Sequence, residues 1–213
     1  MSRHTTFRVG GEAAYYLVPE SGEEIKEAVA FAKNKNLPYF IIGNGSNLLV
    51  SDQGYDGVVI EIGSGLSNME IREDGSVYAE AGIRLGQMAS VLQQAGRTGF
   101  EFASGIPGTL GGAVTMNAGA YGGEIKDVIK KATVLREDGT IAELDRDELE
   151  LGYRTSIIQR ENMIVVAAEL AFEKGDPDEI LAQMRDLLAR RSDKQPLNYP
   201  SAGSTFKRPE GYF

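Results

Sequence analysis

The stretch FASGIPGTLGGAVTMNAGAYGG, residues 102–123, decides the fold of this chain. Seven of its 22 residues are glycine, and none carries a charged side chain. The stretch is too apolar for a flexible linker and holds too much glycine for a packed helix. Glycine lets another group approach the backbone closely, so we expect something to lie directly against this segment. A pyrophosphate bound by main-chain N–H groups fits this pattern, and a glycine-rich crossing between two sheets is the alternative.

A shorter glycine loop, GNGSN, occupies residues 43–47 and follows a predicted strand. Its glycines permit a positive φ and bring main-chain N–H groups close to an anion. The loop matches neither the G-x-G-x-x-G fingerprint nor the Walker A sequence, and a tight turn between buried strands explains it as well. Two such loops in a chain of net charge −9 favour a dinucleotide whose diphosphate is bound by the backbone.

The composition excludes several classes of function. A net charge of −9 without a cluster of Lys and Arg argues against a nucleic-acid partner. No apolar run approaches the roughly 18 residues of a membrane span, so we expect no membrane segment. The N-terminus has no signal-peptide pattern, and this lack of targeting signals favours the cytoplasm. The chain has no cysteine and only one histidine, His4. We therefore expect no thiolate nucleophile, no iron–sulfur cluster and no metal site.

The first elements predict a β-α-β unit. Residues 15–18 form an apolar strand, and residues 37–43, LPYFIIG, form a second, buried strand. Between them, Ser21 and Glu24 have the spacing of a capping box at the start of a helix. The GNGSN loop begins where the second strand ends.

The later elements are mixed strands and helices. Asp138 and Gly139 predict a hairpin turn, and residues 163–175 predict a long strand. Asp176 is the expected N-cap of an amphipathic helix with a basic last turn. Together these elements predict an α+β fold with mixed sheets rather than a regular alternation of strands and helices.

Five motifs in this order resemble the UDP-N-acetylenolpyruvoylglucosamine reductase family. They are HTTFRVGGEAAYYLVP, IIGNGSNLLVSDQGYDGVVI, EFASGIPGTLGGAVTMNAGAYGGEI, ELELGYRTSI and QPLNYPSAGSTFKRP. The resemblance implies a two-subdomain FAD-binding fold of the p-cresol methylhydroxylase (PCMH)/vanillyl-alcohol oxidase type, followed by the start of a substrate-binding α+β domain. The implied limits are residues 1–62 and 63–172 for the two FAD-binding subdomains and 173–213 for the substrate domain.

The resemblance also implies the chemistry: reduction of a UDP-sugar enolpyruvate in peptidoglycan precursor synthesis, with noncovalent FAD and NADPH as hydride donor. The implied FAD contacts fall within residues 43–48, here called the first glycine loop, and residues 104–119, the second glycine loop. They are Gly43, Asn44, Gly45, Ser46, Asn47, Leu48, Ser104, Gly105, Ile106, Pro107, Gly108, Gly111, Gly112, Asn117, Ala118 and Gly119.

By the same resemblance, Arg154 and Ser204 are catalytic. Without it, a surface ion pair of Arg154 with Glu148 or Glu150 explains the arginine, and SAGST is a polar turn. Ser204 is a weak acid and needs a neighbour to stabilise its alkoxide. Lys207 or Arg208 can assist it.

Three substrate contacts are implied as well: Tyr121, Lys194 and Lys207. For Tyr121 the alternative is a half-buried aromatic side chain. For Lys194 the alternative is a solvated residue at a helix C-terminus.

The family's remaining catalytic residue, a glutamate, is expected beyond residue 213. We therefore expect this chain to be a fragment, whose truncation can leave it inactive. We also expect it to be a monomer. Two other functions stay open: a flavin oxidase of the same fold, or a non-catalytic FAD-binding fragment. Since such oxidases often tether the flavin to histidine or cysteine, the lack of cysteine favours noncovalent FAD.

Overall fold

The structure is a computed structural model that describes residues 1–204, 206–207 and 209. Five α-helices are present in this part of the chain, besides three single-turn 3-10 helices: α1 (Gly22–Asn34), α2 (Leu85–Gln94), α3 (Leu110–Thr115), α4 (Ile157–Arg160) and α5 (Pro177–Lys194). The strands are β1 (Ala13–Leu17), β2 (Tyr39–Ile42), β3 (Tyr55–Glu61), β4 (Met69–Ile71), β5 (Ser76–Glu80), β6 (Arg97–Thr98), β7 (Gly119–Ala120), β8 (Gly123–Glu124), β9 (Ile129–Leu135), β10 (Ile141–Asp145), β11 (Ile164–Ala171) and β12 (Glu173–Lys174).

A three-stranded parallel sheet with the order β1-β3-β2 contains the predicted β-α-β unit. The later strand β3 lies between β1 and β2, so Val59 pairs with Tyr16 on one side and Phe40 on the other. Val58 and Ile60 of this central strand are fully buried. The prediction that the second strand is buried is only half right, because β2 is an edge strand and 48% of Phe40 is exposed.

Helix α1 begins close to the predicted capping box. The Ser21 hydroxyl accepts a hydrogen bond from the Glu24 N–H at 3.1 Å, as expected. The Glu24 carboxylate accepts from the N–H of Glu20 at 2.8 Å, one residue before the N-cap, rather than from Ser21. The helix therefore starts where predicted, but the reciprocal bond of the capping box is displaced by one residue.

The second sheet is five-stranded and antiparallel throughout, with the order β10-β9-β11-β5-β4. One sheet is thus parallel and the other antiparallel, and neither is mixed, contrary to the prediction. The β9–β10 hairpin turns at Gly139, whose φ of +87° is readily available only to glycine. Its strands pair Leu135 with Ile141, as the Asp138-Gly139 signal predicts. The long strand β11 lies in the middle of the sheet, so it pairs with a neighbour on each side.

The C-terminal helix α5 packs against α2, the short strand β6 and the 3-10 turn Glu101–Ala103. Asp176 accepts hydrogen bonds from the N–H groups of Asp178 (2.8 Å) and Glu179 (3.2 Å), which confirms the predicted N-cap. Ile180 is buried, and the short pair β12–β6 fixes the entry to the helix. The elements confirm the α+β class, whereas the domain limits at residues 62 and 172 stay predictions. No helix of the described residues is long and apolar enough to cross a membrane.

Candidate functional site

The two glycine loops, distant in sequence, meet in the structure. The Asn44 side-chain amide donates to the Pro107 carbonyl at 2.7 Å. A Cβ added at Gly43 would lie 2.1 Å from the Thr109 hydroxyl oxygen, so this glycine is required for the contact between the loops. The loop that follows strand β2 therefore contacts the second glycine loop, as expected if both loops bind one dinucleotide.

The N-terminal segment packs against the first glycine loop. Gly45 has a φ of +58°, and a Cβ there would lie 2.1 Å from the His4 carbonyl oxygen. The His4 ring lies 4.0 Å from the ring of Tyr16, whose hydroxyl donates to Glu61. His4 is outside both glycine loops in the sequence, but it is adjacent to the first of them in space. Nothing in its local sequence signals this contact.

Several glycines of the second loop face the protein itself. A Cβ would lie 2.9 Å from the Ala81 Cβ at Gly111, and 2.6 Å from the Gly123 carbonyl oxygen at Gly119. At Gly105 it would lie 3.3 Å from the Cδ of Arg191 on helix α5. For these positions the alternative interpretation, close packing of the backbone, is a sufficient reason for glycine.

Gly108 and Gly112 differ from the others. The nearest atoms to an added Cβ are the Leu85 Cδ1 at 3.7 Å for Gly108 and the Thr109 hydroxyl at 3.8 Å for Gly112. Both distances are ordinary van der Waals contacts, and Gly112 is exposed. Protein packing therefore leaves these two stretches of bare backbone open to a ligand. Such backbone suits the diphosphate of a dinucleotide, whose charge main-chain N–H groups can bind.

Other predicted cofactor residues are bonded mainly within the protein. The Ser104 hydroxyl donates to the Glu101 carbonyl at 2.8 Å, and the Ile106 side chain packs against the core. The Ala118 carbonyl accepts from the Ile125 N–H at 3.0 Å. Other predicted contact residues are accessible to a ligand: Asn47 and Pro107 are exposed, and Ser46 and Leu48 are half-buried.

Asn117 is fully buried, has a φ of +41° and makes several side-chain hydrogen bonds. Its side-chain amide donates to Glu124 at 3.1 Å and to the Gly152 carbonyl at 3.0 Å, and its side-chain oxygen accepts from the Lys126 N–H at 3.0 Å. Because these bonds occupy the side chain, Asn117 shapes the second loop. Its predicted contact with a cofactor stays a prediction.

Arg154 reaches the second glycine loop. Its Nη1 donates to the Asn117 carbonyl at 3.1 Å and its Nη2 to the Gly119 carbonyl at 2.9 Å. The ion-pair alternative is wrong: Glu150 pairs with Arg160, and the Glu148 carboxylate accepts from a backbone N–H. Within the described residues Arg154 has no acidic partner, and its guanidinium lies 5.1 Å from the centre of the Tyr153 ring. Its remaining N–H donors can bind a ligand.

The segment that carries Ser204 lies beside the first glycine loop. The Thr6 hydroxyl donates to the Ser201 carbonyl at 2.5 Å, and the Ser201 N–H donates to the Thr6 carbonyl at 3.1 Å. A Cβ added at Gly203 would lie 4.0 Å from the Asn47 side-chain oxygen. Ser204 itself is exposed.

The predicted cations are less clearly placed. Lys194 is exposed at the end of α5, and Lys207 is exposed beyond Ser204. Arg208 lies outside the described residues. No hydrogen bond or ion pair within the described chain connects Lys194, Lys207 or Ser204 to Arg154. These roles stay predictions.

A cavity of about 320 Å³ opens between the N-terminal segment, the second glycine loop and the end of α5. Arg8, Arg191 and Tyr199 are among its lining residues. Arg191 is a residue that sequence analysis missed as a site candidate. Burial lowers the pKa of its guanidinium, an effect that the nearby Tyr121 partly opposes. The only sequence signal was the basic last turn of the helix, which has an ordinary explanation in the helix dipole.

No group of three or more His, Cys, Asp or Glu residues in the described chain is arranged to hold a metal ion. The donors described at the site include main-chain groups and arginine side chains. These are groups that bind phosphates and carboxylates.

Known proteins share this sequence and architecture. The profile of a family described as "FAD binding domain" matches residues 13–145. A UDP-N-acetylenolpyruvoylglucosamine reductase from Alkaliphilus oremlandii is 54% identical over 213 residues, which are 100% of this chain and 70% of that protein. The chain belongs to the UDP-N-acetylenolpyruvoylglucosamine reductase family. It is accordingly an FAD-dependent oxidoreductase by family, and the predicted resemblance is confirmed.

Solved structures agree with this family. The reductase from Thermus caldophilus superposes with a TM-score of 0.83 at 32% identity, over 100% of this chain and 74% of that one. A glucooligosaccharide oxidase from Acremonium strictum has a TM-score of 0.61 at 20% identity, over 81% of this chain and 38% of the oxidase. At that identity the oxidase shows the fold alone, which confirms the PCMH/vanillyl-alcohol oxidase type for this reductase family member.

Proposed function

We propose that this protein reduces UDP-N-acetylglucosamine enolpyruvate to UDP-N-acetylmuramate in the cytoplasm, as a step of peptidoglycan precursor synthesis. NADPH is the proposed hydride donor and noncovalent FAD the carrier. The observation that supports this best is Arg154, whose guanidinium is anchored on the second glycine loop without an acidic partner in the described chain. When bound, FAD supplies a hydride to the methylene carbon of the enolpyruvyl group.

Arg154 is proposed to bind the substrate carboxylate. Negative charge develops on the carboxylate and its adjacent carbon as the double bond is reduced, and a fixed cation stabilises such charge most where water is excluded. The guanidinium stays protonated and offers a planar pair of N–H donors. Two of its donors already bind the Asn117 and Gly119 carbonyls, which fixes the direction of the others.

Ser204 is proposed to protonate the carbon next to the carboxylate. A serine hydroxyl is a weak acid, so the transfer depends on close positioning and on a group that stabilises the resulting alkoxide. Lys207 is the proposed neighbour for this purpose. Tyr121 and Lys194 are proposed contacts for the UDP-sugar, and Gly108 and Gly112 are the proposed backbone contacts of the FAD diphosphate.

Noncovalent attachment of FAD is supported by the side chains available. The glucooligosaccharide oxidase from Acremonium strictum has a 6-S-cysteinyl, 8α-N1-histidyl FAD. This chain contains no cysteine, and its only histidine packs against Tyr16 and lies 3.6 Å from Glu61. Acid precipitation of the loaded protein should release the yellow flavin into the supernatant. Flavin that stays in the pellet would contradict noncovalent binding.

The proposed function is tested with Arg154→Gln in the FAD-loaded protein. Stopped-flow absorbance separates reduction of the flavin by NADPH from its reoxidation by the enolpyruvyl substrate. We expect reoxidation to slow by about 10²- to 10³-fold, the usual effect of losing one charge-stabilising donor, with reduction by NADPH unchanged.

Arg160→Gln is the matched control, because this arginine pairs with Glu150 on the surface instead of contacting the loop. It should leave both half-reactions at the wild-type rate. Wild-type reoxidation in Arg154→Gln would remove Arg154 from the proposed chemistry.

A further inference from the structure

Thr6 lies where three separate segments of the chain meet. Its N–H donates to the Gly45 carbonyl of the first glycine loop at 3.2 Å. Its carbonyl accepts from the Ser201 N–H at 3.1 Å, and its hydroxyl donates to the Ser201 carbonyl at 2.5 Å. One residue therefore bonds the first glycine loop and both main-chain polar groups of Ser201.

The segment that Thr6 contacts has little else to hold it. Residues 192–201 are exposed, and the other hydrogen bonds of residues 196–204 are local: the N–H groups of Leu197, Tyr199 and Gly203 bond residues two or three positions earlier. Among the described residues, the two bonds to Thr6 are the only hydrogen bonds that join residues 196–204 to a distant part of the chain.

Ser204 follows Ser201 by three residues, so it can lie at most about 10 Å further along the chain. The intervening turn, in which the Gly203 N–H donates to the Ser201 hydroxyl at 3.1 Å, shortens this reach. Fixing Ser201 therefore limits where the Ser204 hydroxyl can lie relative to the first glycine loop. Loss of such fixing is costly, because small displacements of a reacting group slow a reaction strongly.

We propose that Thr6 is a positioning residue for Ser204: its hydroxyl and carbonyl hold the Ser204 segment against the first glycine loop. The inference rests on the proposed role of Ser204 as proton donor. Thr6 does not touch the reacting atoms. It acts through Ser201, and it also ties that placement to Gly45, so the loop and the serine move together.

The test compares two variants. Thr6→Val removes the hydroxyl at nearly constant shape, whereas Thr6→Ser keeps the hydroxyl and removes only the methyl group. Hydrogen exchange of the FAD-loaded protein reports the Ser201 amide, and stopped-flow absorbance reports the two half-reactions. For Thr6→Val we expect faster exchange at Ser201 with unchanged exchange in β9 and β11. Reoxidation of the flavin by substrate should slow by about tenfold, as expected for one lost hydrogen bond, and its reduction by NADPH should not change.

Thr5→Val is the matched control. Thr5 is the preceding residue and equally a threonine, but its hydroxyl donates to the Val9 carbonyl at 3.4 Å rather than to Ser201. The variant should leave both the Ser201 exchange and the reoxidation rate unchanged. Thr6→Ser should show wild-type hydrogen exchange at Ser201 and a wild-type rate of flavin reoxidation.

Ser204→Ala separates this inference from the proposed function. If Ser204→Ala slows reoxidation while Thr6→Val leaves exchange and reoxidation unchanged, the positioning role is wrong and the proton donor stands. If Ser204→Ala reoxidises at the wild-type rate, the proposed role of Ser204 is wrong and the inference falls with it. Equal slowing of both half-reactions in Thr6→Val, with faster exchange in β9 and β11, would identify Thr6 as a general stability residue and also overturn the proposal.

Discussion

Gly111 and Gly112 are neighbours in helix α3, yet protein packing requires glycine only at the first of them. A Cβ at Gly111 would lie 2.9 Å from the Ala81 Cβ, whereas one at Gly112 would meet nothing closer than 3.8 Å. Protein packing explains the first glycine and leaves the second unexplained without a ligand. A glycine-rich segment is thus a mixture of packed and open positions, and only the open ones carry information about what it binds.

The strongest test of the packed class is Gly45→Ala. The new Cβ would lie 2.1 Å from the His4 carbonyl oxygen, and the φ of +58° is unfavourable for alanine. We expect a loss of about 3 kcal/mol in the free energy of unfolding of the apo protein, from overpacking together with backbone strain. Urea denaturation followed by circular dichroism measures it.

Gly139→Ala separates strain from steric conflict. Gly139 has a φ of +87° in the β9–β10 turn, but an added Cβ meets nothing within 4 Å. Gly139→Ala should therefore lower the free energy of unfolding only by the backbone contribution, about 1–2 kcal/mol. An equal loss in the two variants would show that His4 does not press against the first glycine loop.

The second test uses the neighbouring pair directly. Gly111→Ala should lower the free energy of unfolding by about 2 kcal/mol, because Ala81 must shift. Gly112→Val should instead raise the Kd for FAD by roughly tenfold or more while the Tm of the apo protein changes little. Titration of the apo protein with FAD, followed by flavin fluorescence, measures the affinity.

A matched Gly112→Ala variant adds a single methyl group and should affect FAD binding less than valine does. If Gly112→Val loses stability and affinity in the same proportion, Gly112 belongs with the packed class. The distinction between the two glycines would then fail.

The smallest expected effect concerns the polar support beneath the first glycine loop. Burial and the neighbouring Glu61 raise the pKa of Tyr16 far above its ordinary value of 10.0. A raised pKa means that the folded state holds this proton more tightly, so the contribution of Tyr16 is complete below pH 10 and is lost as the pH rises above it. Tyr16→Phe should lower the free energy of unfolding by about 1 kcal/mol at neutral pH. It should also make the loss of stability at alkaline pH less steep. Denaturation curves at pH 8 and above pH 10 check both, and an unchanged alkaline slope would contradict the assignment.

Local sequence signals predicted the elements well where the physics is local. Ser21, Asp176 and Gly139 act on their own neighbours, so cap and turn chemistry located two helices and a hairpin. The order of the parallel sheet was not predicted, because β3 enters between β1 and β2 only through tertiary packing.

The candidate site was predicted as a set of motifs rather than as geometry. Periodicity and propensity give no sign that His4 lies beneath Gly45, that α5 covers Gly105, or that Arg154 bonds two carbonyls instead of a glutamate. Each of these contacts joins residues far apart in sequence. The chemistry of a single motif therefore cannot reveal them.

Arg154 has one further consequence for protein engineering. Its φ is +56°, and Tyr121 has a φ of +54°. Each such left-handed conformation lowers stability by about 1–2 kcal/mol relative to a right-handed one, and glycine at either position would relieve this cost. A redesign that optimises thermostability alone would therefore replace these two side chains early. The resulting protein would lose the guanidinium on which the proposed reaction depends, together with its hydrogen bonds to the Asn117 and Gly119 carbonyls. Backbone strain at these positions therefore marks what an engineer should leave untouched.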